Sequence, residues 1–99
     1  MNKQSYSDYV RLALRYYSRN LANPAYRCIA DNKNREACDT VLNNYFSEYK
    51  NVLIAVYQSF DTIGDSVYEA SIKYNIPQGL IWTMMKNLED LIAKERGLI

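Results

Sequence analysis

A chain of 99 residues, 48% apolar and 23% charged, is long enough for one hydrophobic core and too short for two. That balance excludes a disordered chain, which has lower hydrophobicity and higher net charge. The 12 basic and 11 acidic side chains leave a net charge of +1, so the basic excess that usually marks a domain gripping DNA is missing.

No stretch approaches the ~20 apolar residues of a membrane span, and the N-terminal "MNKQSYSDYV" has no apolar signal segment. These features predict a cytoplasmic protein with no membrane partner. Cys28 and Cys38 read most simply as free thiols in a reducing compartment. Two cysteines without a histidine fall short of a structural zinc site.

With three glycines and two prolines, breaks are few. The first helix is predicted from Ser7 to Leu21, on the face shared by Tyr6, Tyr9, Val10, Ala13, Tyr16, Tyr17 and Leu21. Asn23-Pro24 ends it, because the residue before proline avoids the helical region. Pro24 then opens a short helix, Ala25 to Ala30, capped by Asn23, and "DNKNR" reads as a polar turn.

From Asn34, a cap, the positions Cys38, Val41, Leu42, Tyr45, Phe46, Tyr49, Val52, Leu53, Val56, Tyr57 and Phe60 hold one phase. They predict a single helix, straight or bent, from Arg35 to about Phe60, ~39 Å long at the helical rise. Gly64 reads as a break, Asp65 or Ser66 as a cap, and Ser66 to Tyr74 as the next helix. Asn75 suits a helix end in the left-handed region. Pro77 starts the last helix, which turns Ile81, Met84, Met85, Leu88, Leu91 and Ile92 inward and stops at Gly97. No alternating run argues for a strand. The expectation is all-α: one domain, residues 1–99, a compact bundle of about five helices.

Its last part has the rhythm of a helix-turn-helix, at about residues 66–95. Ala70 is the small residue that lets a second helix pack close. Asn75-Ile76-Pro77 is the tight turn, and Ile81 with Met84 or Met85 forms the inner side. On these residues, with "LNNYFSEYKNVLIAVYQSF" before them and Gly97-Leu98 after, the last 60 or so residues resemble the phage late-gene transcription activator family (RinA/ArpU-like). That family's helix-turn-helix is similar to the fourth region of bacterial sigma factors. The resemblance implies a phage or mobile-element origin and double-stranded DNA bound through the last helix.

The last helix departs from the family pattern. Pro77, Gly79 and Leu80 stand where the family has small hydroxyl residues, and Trp82 and Thr83 where it has basic ones. Gln78, Thr83 and Lys86 remain for polar contacts, Gln78 toward adenine and Thr83 toward a thymine methyl. Trp82 has three readings: core under the first helix, protein-contact anchor, or nucleic-acid contact. Arg11, Arg15 and Arg19, spaced by four, stack along one face either as a phosphate-tracking ridge or as a solvated surface.

Enzymatic chemistry finds no footing: the chain has no histidine, no glycine-rich phosphate loop and no paired catalytic motif. No cofactor is implied. The sequence therefore predicts a DNA-binding transcriptional regulator whose binding residues are Gln78, Gly79, Trp82, Thr83, Lys86, Arg11, Arg15 and Arg19. The alternative is a small phage or plasmid protein that binds and modulates a host protein on the same scaffold. The long helix and the ten tyrosines predict a homodimer.

Overall fold

A computed structural model describes residues 3–22 and 28–99. Within them the chain forms five α-helices and no strand: α1 (Lys3–Arg19), α2 (Ile29–Tyr45), α3 (Lys50–Gln58), α4 (Ile63–Tyr74) and α5 (Gln78–Glu95). A single 3-10 turn, Ser47–Tyr49, separates α2 from α3. α1 packs on α2, α3 and α5, α4 packs on α3 and α5, and α2 also lies against α5. The expected all-α bundle is what the chain adopts.

α1 buries Tyr6, Val10, Leu14 and Tyr17, a narrow stripe at steps of three and four. Tyr9, Tyr16 and Leu21, expected on that face, are exposed. The reason is angular: Leu14 belongs to the stripe, and including it turns the buried face away from Tyr9 and Tyr16. The helix ends at Arg19, where the Asn20 side-chain amide donates to the Tyr16 carbonyl at 2.8 Å.

The predicted cap Asn23 and the first half of the short helix from Ala25 lie outside the described residues. "DNKNR" is no turn: α2 begins at Ile29, after an extended Cys28, and runs through all five polar residues. Nothing in that segment breaks a helix as glycine or proline would, and Asp31 in the first turn suits the helix dipole. Tertiary bonds fix it as well. Asn34 accepts from the Arg96 guanidinium at 2.6 Å and pairs with the Tyr9 hydroxyl.

The single helix predicted from Arg35 to Phe60 is interrupted at Phe46, whose backbone leaves the helical region (φ −133°, ψ 30°). An unbroken helix from Ile29 to Gln58 would run ~45 Å, longer than the 36 Å greatest dimension of the molecule. Breaking at Phe46 buries that ring and leaves Tyr45 exposed. Phe60, predicted as the last inward residue, lies beyond α3 and is 86% exposed.

α4 starts earlier than predicted. Thr62 is its cap, with its hydroxyl oxygen accepting from the Asp65 N–H at 3.2 Å, and Gly64 sits harmlessly in the first turn. Its end matches the expectation: Asn75 is left-handed (φ 53°, ψ 50°), and the Ile76 N–H donates back to the Ser71 carbonyl at 3.1 Å. Pro77 follows, and its carbonyl accepts from Leu80 and Ile81 as α5 begins. At the far end Gly97 (φ 73°) turns the chain so that the Leu98 N–H reaches the Ala93 carbonyl at 2.8 Å. Leu98 then packs on the core.

α5 is the central helix, burying Ile81, Met84, Met85, Leu88, Glu89, Ile92 and Ala93. α2 and α3 supply Cys38, Val41, Leu42, Val52, Leu53, Val56 and Tyr57 to the same core. Three tyrosines are buried there, and each donates its hydroxyl to a carboxylate: Tyr6 to Asp90 at 3.0 Å, Tyr17 to Asp39 at 2.5 Å and Tyr57 to Glu89 at 2.7 Å. Rings fill volume while hydroxyls stay bonded. Cys28 is exposed and Cys38 buried, both as free thiols.

Burial pushes the Cys38 thiol up from 9.0 to about 12. Burial, and then the Glu89 carboxylate, also hold the Tyr57 phenol well above its usual 10.0. Both groups bind their protons more tightly when folded. Their contribution to stability is therefore complete below pH 9.0 for Cys38 and 10.0 for Tyr57, and is lost as the pH rises through the raised values. Denaturant melts at increasing alkaline pH should show stability falling above about pH 9. Cys38→Ala should flatten the first part of that fall, and an equal slope in the variant would remove the thiol as its cause.

Candidate interaction surface

The outward side of α5 follows directly from its inward one. Ile81, Met84, Met85 and Leu88 fix the buried stripe, so Gln78, Gly79, Leu80, Trp82, Thr83 and Lys86 are left exposed on the first half of the helix. Gln78, Trp82 and Lys86, spaced by four, share one line. The Thr83 hydroxyl is turned back to the Gly79 carbonyl at 3.0 Å. A side chain at Gly79 would meet nothing within 4 Å, so the fold does not require glycine there.

Trp82 is 42% exposed and is not a core residue. It borders a hollow of about 260 Å³ between α1 and α5, shared with Ser7, Arg11, Met85, Lys86 and Asp90. Ala70 is buried, and with Ala55 and Ser66 it lines a groove between α3 and α4.

The three arginines of α1 separate. Arg11 is drawn to Glu89, donating from Nε at 3.1 Å and from a terminal nitrogen at 3.3 Å. Arg19 donates to the carbonyls of Gln58 and Ser59, at 3.2 and 2.6 Å, and its guanidinium lies 4.1 Å from the centre of the Phe60 ring. It thereby satisfies the end of α3, as a cation at a helix C-terminus does. Among the described residues Arg15 alone of the three has no such anchor, and it borders a hollow with Asp8, Arg11 and Leu12. The row expected from the spacing is thus committed to intramolecular contacts at two of its three positions.

Glu89 is the residue that sequence reasoning passed over. It is 5% exposed, and its two oxygens take Arg11 from α1 and the Tyr57 hydroxyl from α3. The hydrogen bonds to Glu89 hold the Arg11 guanidinium above its usual pKa. A signal was present: Glu89 lies between Leu88 and Ile92 in the inward phase, next to Met85 four residues before. A carboxylate in that phase needs a buried partner.

Among the described residues, no three His, Cys, Asp or Glu side chains gather to hold a metal ion. No helix among them is long and apolar enough to cross a membrane. No family model, curated protein or solved structure matches the chain.

The network makes a measurable demand. Arg11→Met should cost about 2–3 kcal/mol in urea unfolding, less than the full loss for a wholly buried pair, because Arg11 keeps water on one side. Tyr57→Phe should cost roughly 1–2 kcal/mol. Combining Arg11→Met with Glu89→Leu and Tyr57→Phe, which leaves no partner buried and unbonded, should recover most of the first loss. A triple variant as unstable as the three single changes added together would mean that the three residues do not act as a network.

Proposed function

We propose that the protein is a DNA-binding regulator of a phage or mobile element, acting through the exposed first half of α5. The observation that carries this reading is the stripe Gln78–Trp82–Lys86, held outward at the start of a helix whose other side is anchored in the core. α4 and α5 are joined by only three residues, with left-handed Asn75 and Pro77 in the connector, which is the economy a helix-turn-helix requires. The resemblance to the late-gene activator family adds the same direction. On this reading Gln78 lies toward base edges and Lys86 toward phosphates, and the function needs no cofactor. Two copies would serve two half-sites.

A host-protein partner is the second reading, and one observation favours it. The exposed part of α5 carries Leu80 and Trp82 rather than arginines, and Arg11 and Arg19 are engaged within the fold. Tryptophan on a surface is a frequent centre of protein interfaces.

Gel shifts on random duplex DNA at low and moderate salt separate the two. For a DNA reader, Gln78→Ala should cost about 1–3 kcal/mol at a selected site and little elsewhere. Changing Lys86 to Gln should weaken every sequence alike and reduce the salt slope by roughly 1 unit. For a protein binder, DNA affinity should be absent at low salt, and Trp82→Ala should cost ~2 kcal/mol or more of partner binding.

A further inference from the structure

The outer face of α1 carries a pattern that neither the core nor the α5 surface uses. Leu12 is 68% exposed at its centre, and Tyr9 and Tyr16 are exposed along one flank. Along the other flank lie Asp8, which is exposed, and Arg15, which is half-buried. Each flank borders a depression. Tyr9, Leu12, Ala13 and Tyr16 line one of about 450 Å³ that continues onto α2, and Asp8, Arg11, Leu12 and Arg15 line one of about 400 Å³. Leu12 is therefore a ridge between two hollows.

We propose that this face is a two-fold interface with a second copy of this chain, the two α1 helices running antiparallel across Leu12. The inference rests on the homodimer included in the functional reading above, and it names the surface that forms it. In an isologous contact a patch must complement itself in reverse. A two-fold axis crossing an antiparallel pair keeps each flank on its own side and reverses its direction. Asp8 of one copy then faces Arg15 of the other, Tyr9 faces Tyr16, and Leu12 meets Leu12.

The charged pair and the tyrosine pair have the same spacing of seven residues, ~10.5 Å along the helix. Their midpoints fall on either side of Leu12, within one residue of it, so one axis satisfies all three pairings together. Opposite charges meet on one flank and rings meet on the other. A partner of unrelated sequence would have no need of that reversal symmetry. It is this charge complementarity that selects a second copy.

The pairing of charges gives a test that does not involve DNA. Light scattering and sedimentation of the wild-type chain at tens of micromolar should show a dimer. Asp8→Arg places two cations on the flank, and Arg15→Asp two anions. Each should weaken self-association at least ~10-fold. Mixed in equal amounts, the two variants should regain a dimer, because each introduced charge then faces its opposite at both pairings. The double variant should dimerise alone. Leu12→Asp, which leaves the flanking charges in place, should be monomeric in every mixture. Thermal melts check that each variant is folded.

A monomeric wild type would overturn the proposal. So would a dimer that ignores Leu12→Asp, or single variants that stay apart on mixing. Gel shifts on the same proteins keep the two readings distinct. A folded monomer that still shifts DNA leaves the α5 reading standing without this interface, and a charge-rescued dimer that shifts no DNA does the reverse.

Discussion

A carboxylate in the middle of the core organises this fold. Glu89 sits on α5 among Met85, Leu88 and Ile92, with a cation from α1 and a phenol from α3 as its partners. An unpaired charge there would cost several kcal/mol, so the buried position is tolerable only when all three helices are in register. Aliphatic packing alone accepts many sliding arrangements of similar energy. A bonded charge accepts one. Tyr6–Asp90 and Tyr17–Asp39 repeat the device at the edges of the same core, so tyrosines supply both the bulk and the orientation of the bundle.

The same economy determines what remains outside. Of the arginines on α1, one neutralises Glu89 and another closes the end of α3, so a chain with nearly balanced charge uses part of its positive half internally. The surface left over has short polar and apolar lines rather than a broad field. On α5 the line is Gln78, Trp82 and Lys86, and on α1 it is Asp8, Leu12 and Arg15. Contacts built on such lines depend on shape and position more than on long-range attraction.

Periodicity made the helical class and the inner side of α5 readable, and residues with special backbone demands marked the ends at Asn75 and Gly97. The rest failed for identifiable reasons. The break at Phe46 is invisible because the three-residue 3-10 turn leaves the apolar phase intact, with neither glycine nor proline to announce it. "DNKNR" looks like a turn by composition, yet Asn34 is held by Tyr9 and Arg96 from distant parts of the chain. Thr62-Ile63-Gly64-Asp65 does carry a capping signature, which the glycine masked. At the candidate site, which side of α5 faces outward was legible. The engagement of Arg11 and Arg19 was not, since their partners lie 78 and about 40 residues away along the chain.

The position of Trp82 has an optical consequence. It is the only indole in the chain, and it stands half in water on the rim of the α1–α5 hollow, with charged Arg11, Lys86 and Asp90 around that hollow. Its emission is therefore a gauge of that rim rather than of the core. Anything that settles on the first half of α5 excludes water from the ring and shifts its colour. The molecule thus carries a native fluorophore on the exposed first half of α5.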